Sequence, residues 1–279
     1  SDSPIPKTDI DMLEFPLNLE YLEAEFYLWG STGSGLDRFA PDLAQGGPPP
    51  IGASKALLDP LTNDIIYQFG LQEIGHIRAI KKSVKGFPRP LLNLSSSQFA
   101  QVMNSAFERP LFPPFNPYLN SVNFLLASYL IPYVGLTGYV GAAPKLTSSD
   151  AKAQVAALLA VESGQDAVIR TMLYERQYQW VLPYRITVQE FTNRISNLRN
   201  KLGKLGPKDE GLFVNQKEGA EGKMRGNILV GNENSIGFSR TPEEILRIVY
   251  GSGDENKIGG FYPKGADGSI ARSLSNKQV

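Results

Sequence analysis

Within residues 54–85, Ile65, Phe69, Glu73, His76 and Ile80 follow one another at spacings of four, four, three and four. That rhythm puts all five on one face of a helix, so a carboxylate and the chain's single histidine sit inside an apolar stripe. Such a stripe needs partner helices that bring compensating polar groups into the same interior, because a buried unpaired carboxylate costs several kcal/mol or is driven neutral. Two other segments supply candidates. Leu158, Glu162, Gln165, Ile169 and Met172 repeat the pattern, and Leu13, Leu17, Glu20, Ala24 and Tyr27 give a third stripe. Three helices thus each carry a carboxylate inward. No run alternates apolar and polar residues long enough for a dominant sheet, so the expected fold is all-α, a four-helix bundle with extra helices.

The helices are bounded by local signals. A first helix is expected over residues 8–30, with Thr8 and Asp11 as a capping-box-like start. A Gly- and Pro-rich loop over 31–53 follows, then a second helix over 54–85, ended by Gly86 and Pro88. A short helix over 96–107 precedes a proline-rich crossing, Pro110 to Pro117. The third long helix is expected over 117–143 with a kink at Pro132, the fourth over 148–181, and a fifth over 187–201. Beyond Gly203 glycine becomes frequent and apolar runs shorten, which divides the chain into a bundle, 1–204, and a mostly irregular C-terminal extension packed on it, 205–279. There only Thr241-Pro242-Glu243-Glu244 is a strong signal, opening a helix through Tyr250 with Thr241 as N-cap and Glu244 as the capping-box acid.

Charge and cysteine content remove several function classes. Lysine plus arginine equals aspartate plus glutamate, 28 each, which gives no electrostatic basis for nucleic acid or an acidic membrane surface as partner. The longest apolar stretch, Phe124 to Val140, is interrupted by Ser128, Pro132, Gly135 and Gly138, so no membrane span is expected. The absence of cysteine rules out disulfides, thiolate zinc sites and cysteine nucleophiles. Gly30-x-x-Gly33-x-Gly35 follows a helix instead of linking a strand to one, so it is not a nucleotide site. Asn93-Leu94-Ser95 is a glycosylation acceptor triplet. Assembly into a homo-oligomer is left open by the sequence.

Di-iron bundles use a Glu from each of two helices and Glu-x-x-His from each of the other two. Here Glu73-x-x-His76 is intact, while Glu162-x-x-Gln165 has an amide where that pattern has imidazole. No Asp or Glu occurs between Arg109 and Ser149, so the third helix brings no carboxylate. A di-metal centre is therefore not expected, although Glu20, Glu73, His76 and Glu162 could hold a single iron or manganese ion. Tyr27, Tyr129 and Tyr133 fall near these residues by helical phase, either as core residues or as hydroxyl donors. Glu23 and Glu25 are expected to face solvent or a neighbouring helix.

Asn18-Leu19-Glu20-Tyr21-Leu22-Glu23-Ala24-Glu25-Phe26-Tyr27, Glu73-x-x-His76, the stretch from Gly135 to Pro144, and Val161-Glu162-Ser163-Gly164-Gln165 together resemble the plant desiccation-related proteins. The likeness covers nearly the whole chain, and that family lies within the ferritin-like superfamily. The resemblance implies a ferritin-like four-helix bundle, a cleaved secretory signal, and an apoplastic or cell-wall address. It also implies that Glu20, Glu73, His76 and Glu162 are surviving ligand positions, with Pro132 and Gln165 standing where bacterial relatives carry a Glu and a His.

Three functional readings follow. In the first, no cofactor is bound and the vacated core is a pocket for a small apolar metabolite. There Glu73 and His76, with Glu20 and Glu162, act as acid and base, and Tyr129 or Tyr133 donates to an oxyanion. Tyr27, Phe69, Gln165 and Ile169 line that pocket, and the reaction is an isomerisation or cyclisation. The second is a non-enzymatic wall protein whose buried polar cluster is structural. The third is a mononuclear iron or manganese oxidase.

Overall fold

Pro16 divides the first expected helix in two. In the computed structural model, which describes residues 5–275, α1 (Lys7–Glu14) stops before it and α2 (Leu17–Thr32) restarts just after it. Proline lacks the N–H and clashes with the carbonyl four residues back, so it is accepted at a helix start but not inside one. Thr8 and Asp11 lie within α1, whose N-cap is Pro6 without a side-chain bond, so the expected capping box does not form. α3 (Pro60–Ser83) begins later than residue 54 because Asp59 caps it, accepting from the Thr62 N–H at 2.9 Å with Pro60 next in line. α4 (Ser96–Phe107) is capped by Ser95.

Pro132 acts as Pro16 does. The expected kinked third helix is two helices, α5 (Ser121–Tyr129) and α6 (Pro132–Ala142), the proline opening the second. α7 (Ser149–Glu175) ends six residues before the expected boundary, and Trp180–Val181 pairs antiparallel with Ile186–Thr187 in a short ribbon (β1, β2). α8 (Val188–Gly203) is followed by a largely irregular stretch that contains α9 (Pro242–Val249) and α10 (Ser269–Ser275). The capping box of α9 is complete: Thr241 accepts from the Glu244 N–H, and Glu244 accepts from the Thr241 N–H at 3.1 Å.

Two antiparallel helix pairs make the bundle. Going up α2 from Glu20 to Tyr27 the partner on α3 runs down from His76 to Phe69. Likewise Tyr129 on α5 meets Arg170 on α7, while Gly135 on α6 faces Glu162. Ser121–Lys145 is long and apolar enough by composition to cross a membrane, with a mean hydropathy of 1.4, but 78% of that window is buried inside the protein. It is core.

Charged side chains fasten the irregular segments. Arg89 is buried and donates to Glu25 at 2.7 Å, to the Pro48 and Gly47 carbonyls at 2.7 Å each, and to Asp37 at 3.1 Å. This orders the 31–53 loop and explains why Glu25 is not at the surface. Arg170 donates to four carbonyls of the C-terminal stretch, those of Glu210, Gly211, Asn227 and Ile228. Arg199 and Arg240 converge on the buried Asp209.

Candidate metal centre

α2, α3 and α7 bring Glu20, Glu73, His76 and Glu162 together, with one donor atom of each within 4.8 Å of the others. His76 Nδ1 lies 3.1 Å from Glu20 Oε2, 3.3 Å from Glu162 Oε1 and 3.5 Å from Glu73 Oε2. The three carboxylates are buried and the imidazole is 8% exposed. The stripe phase read from the sequence therefore holds for all four residues.

Hydrogen bonding in this cluster is lopsided. Glu20 is satisfied, its Oε2 facing His76 Nδ1 and its Oε1 accepting from the Tyr139 hydroxyl at 2.6 Å. Among the described residues, both oxygens of Glu73, both of Glu162 and Oε2 of Glu23 accept no hydrogen bond. One ring N–H cannot serve three carboxylates. Unpaired buried acceptors are costly, and a divalent cation is the ligand that would use several carboxylate oxygens and an imidazole nitrogen at once. The donor set fits such an ion.

Without a cation the groups divide the charge among themselves. Burial pushes Glu73 and Glu23 well above the usual carboxylate range, and the other acids reinforce it. Burial likewise raises Glu162, to about 7. For Glu20 burial is outweighed by the proton a neutral Glu73 would offer it, by the charge and hydrogen bond of His76 and by the Tyr139 hydroxyl, which leave it lowered. Burial alone would lower His76, but the facing carboxylates reverse this and raise it.

Two residues of the site escaped the sequence reading. Glu23 lies one turn beyond Glu20 on α2, buried and not facing solvent. A β-carbon placed at Gly135 would be 3.4 Å from Glu23 Oε1 and 3.8 Å from Glu162 Oε2. So α6 presents bare backbone at the cluster, and α2 places a second acid there. Tyr139 sits one turn after Gly135 on the same face of α6. It supplies the hydroxyl expected from Tyr129 or Tyr133.

Those two tyrosines are elsewhere. The Tyr129 hydroxyl is engaged by Ser196 at 2.7 Å, by Arg170 at 3.1 Å and by the Glu210 carbonyl at 3.1 Å, and the Tyr133 hydroxyl donates to the Lys208 carbonyl. Both belong to the seam between bundle and extension, so neither is free to donate at the site. Restarting the helix at Pro132 resets the phase on which the expectation rested. Tyr27 does reach the cluster: its hydroxyl is unpaired, and burial followed by the charges of Glu23, Glu73, Glu162 and Asp166 raises it well above the usual phenol range. Phe69 packs edge-on to Tyr27 at 5.8 Å, and Ile169 is fully buried. Gln165 donates to Gln72 at 3.0 Å while its own Oε1 is unpaired.

A cavity of about 20 Å³ reaches this site, lined by Glu20, Glu23, Gly135 and Tyr139 within and by the partly exposed Met12, Pro16, Gly138 and Pro242 without. A water molecule needs roughly 10–15 Å³, whereas pockets for drug-sized ligands span about 300–1,000 Å³. The space beside Glu20 and Glu23 is thus the size of one small molecule.

The family described as ferritin-like domain matches residues 8–175. Over 268 residues the chain is 58% identical to the ferritin-like catalase Nec2 of Nesocodon mauritianus, covering 96% of this chain and 86% of that one. Over 264 residues it is 58% identical to the desiccation-related protein PCC13-62 of Craterostigma plantagineum, covering 95% and 84%. No solved structure matches it.

Proposed function

The chain belongs to the desiccation-related ferritin-like family, and on that premise we propose that its bundle core holds a manganese or iron ion and decomposes hydrogen peroxide. Two molecules of peroxide give two of water and one of dioxygen. The observation that carries this reading is the convergence of four donors, with buried carboxylate oxygens left unpaired among the described residues, beside a cavity the size of one small molecule. The relative named as a catalase supports it.

Glu20, Glu73 and Glu162 would hold the ion through oxygen and His76 through Nδ1, a donor set that suits manganese and iron. The bound metal would supply the two-electron exchange between one peroxide and the next. The side chains do the rest. Tyr139 fixes Glu20 by donating to Oε1, so the carboxylate keeps one orientation. Glu23, whose protonated form burial favours and which lines the cavity, can pass a proton to the peroxide that becomes water. It can regain one from the peroxide that becomes dioxygen. The apolar wall of Phe15, Leu19 and Ala142 excludes bulk water from the exchange.

Dioxygen release measured with an electrode tests the proposal. Protein loaded with Mn²⁺ or Fe²⁺ is expected to evolve one dioxygen per two peroxides, chelation to abolish this, and reloading to restore it. Equal background rates from loaded and stripped protein would refute it.

A pH dependence follows from the same groups. In the metal-free protein burial favours the protonated form of Glu73, Glu162 titrates at about 7, and the facing carboxylates favour the protonated form of His76. A cation must displace those protons, so affinity rises with pH. The expected slope between pH 6 and 8 is about tenfold per unit for each proton displaced. The metal-free fold has the opposite trend. Glu162 rises from its ordinary value of 4.5 to about 7 on folding, so the native state binds the extra proton and loses stability as pH climbs through that window. Calorimetric titration with Mn²⁺ in buffers of different ionisation enthalpy measures the proton release. A pH-independent affinity would contradict it.

A further inference from the structure

Gly135, Gly138 and Gly141 recur every third residue along α6, and the structure gives the last two a common purpose. A β-carbon at Gly141 would collide with the Arg240 carbonyl oxygen, and one at Gly138 would lie 2.6 Å from Ile245 Cδ1. The Arg240 N–H donates to the Thr137 carbonyl at 2.9 Å. Bare backbone at 138 and 141 is what lets residues 240–245 of the C-terminal extension lie directly on the helix that roofs the site.

This segment is held in place. Arg240 pairs with Asp209 at 3.3 Å, Lys208 pairs with Glu244 at 3.0 Å, and the Thr241 capping box fixes the start of α9. Ile245 therefore projects from an anchored helix, not from a loop. Its side chain is 3% exposed, with Cδ1 in the notch above Gly138, and it lines the cavity that runs from Met12, Pro16 and Pro242 at the surface to Glu20 and Glu23.

We infer that Ile245, seated against Gly138, is the size filter of this entrance, admitting hydrogen peroxide and excluding alkyl hydroperoxides from the centre. The inference rests on the peroxide reading for its substrate class, and on the cavity geometry alone for the filter. Pocket discrimination by a methylene is worth about tenfold or more. Ile245→Val is the sharpest change, since it deletes the Cδ1 carbon itself and little else. Ile245→Ala enlarges the opening further, and Gly138→Ala closes it from the other side.

Two readouts separate the filter from the chemistry. The first is the rate of Mn²⁺ uptake by metal-free protein, followed by electron paramagnetic resonance, which needs no turnover. The second is ethanol formation from ethyl hydroperoxide with hydrogen peroxide as reductant. There the alkyl peroxide O–O bond breaks to give ethanol and water, and hydrogen peroxide yields dioxygen, two protons and two electrons. Ile245→Val and Ile245→Ala are expected to speed uptake and to raise the ethanol rate relative to dioxygen release from hydrogen peroxide alone about tenfold. Gly138→Ala is expected to slow uptake. Uptake and selectivity unchanged in all three variants would overturn the filter and place entry elsewhere, as at the edge of His76. Wild-type protein that takes up Mn²⁺ but leaves peroxide intact would remove the proposed reaction, with the uptake series still deciding the filter. Protein that takes up no metal would sink both.

Discussion

Replacing His76 with glutamine is expected to lower metal affinity by at least about a hundredfold and to bring peroxide decomposition down to background. His76 is the only nitrogen donor in the cluster, and its Nδ1 faces Glu20, Glu73 and Glu162 at 3.1–3.5 Å. Loss of a group that only hydrogen-bonds to a ligand typically costs about 10–100-fold in metal affinity, so loss of a ligand should cost no less. Glutamine keeps most of the side-chain volume and a polar end, which protects the packing of α3 against α2. Circular dichroism should therefore change little. The competing readings predict differently. A metal-independent acid–base enzyme would lose turnover of a metabolite with no change in metal content, because it holds none. A purely structural cluster would lose thermal stability and nothing else. Metal content and peroxide rate both within twofold of wild type would dismiss the centre.

Asp209→Ala should be the most destabilising single change outside the centre. Asp209 is buried, with Oδ2 at 2.7 Å from Arg199 Nε and at 3.3 Å from an Arg240 nitrogen, and Oδ1 accepting from Arg199 at 3.0 Å. Both guanidinium groups are themselves buried, stacked over the rings of Tyr129 and Tyr133. Removing the carboxylate takes from two buried cations the acid they pair with, leaving Asp166 as the remaining acid near Arg199, a class of change that costs about 3–5 kcal/mol. For a chain of this size that lowers the melting temperature by roughly 5–15 °C. Differential scanning fluorimetry reads it directly. The same substitution should loosen the stretch around Arg240, so the Ile245 filter should slacken before the bundle unfolds. A shift below about 2 °C would mean that the seam is not what holds the extension.

How legible the molecule was in its sequence depended on whether a signal was periodic. Ile65, Phe69, Glu73, His76 and Ile80 obey the helical repeat, and so do the stripes carrying Glu20 and Glu162. Phase alone therefore brought four site residues together, because helix geometry fixes which side chains share a face. Glu23 was lost for the opposite reason. α2 is buried almost all round, so no polar face exists to set its phase, and an acid one turn from Glu20 could be assigned outward. Tyr139 was lost because Pro132 restarts the helix, so phase carried over from Tyr129 pointed at the wrong side chains. The C-terminal stretch was legible only at Thr241-Pro242-Glu243-Glu244. It is held by arginines donating to scattered carbonyls and by glycines that let backbone approach backbone, and neither leaves a repeat in the chain. The cavity, formed by α1, α2, α6 and α9 together, had no local signature at all.

The proposed function requires Glu20, Glu73, His76 and Glu162 to form a metal centre and not a network of shared protons. It is tested most directly by elemental analysis of the wild-type protein, loaded with Mn²⁺ and then dialysed extensively at neutral pH, beside the His76→Gln variant treated identically. About one retained ion per wild-type chain is expected, with near-complete loss from the variant. Retention below about a tenth of an ion by the wild type, or equal retention by both, would contradict it.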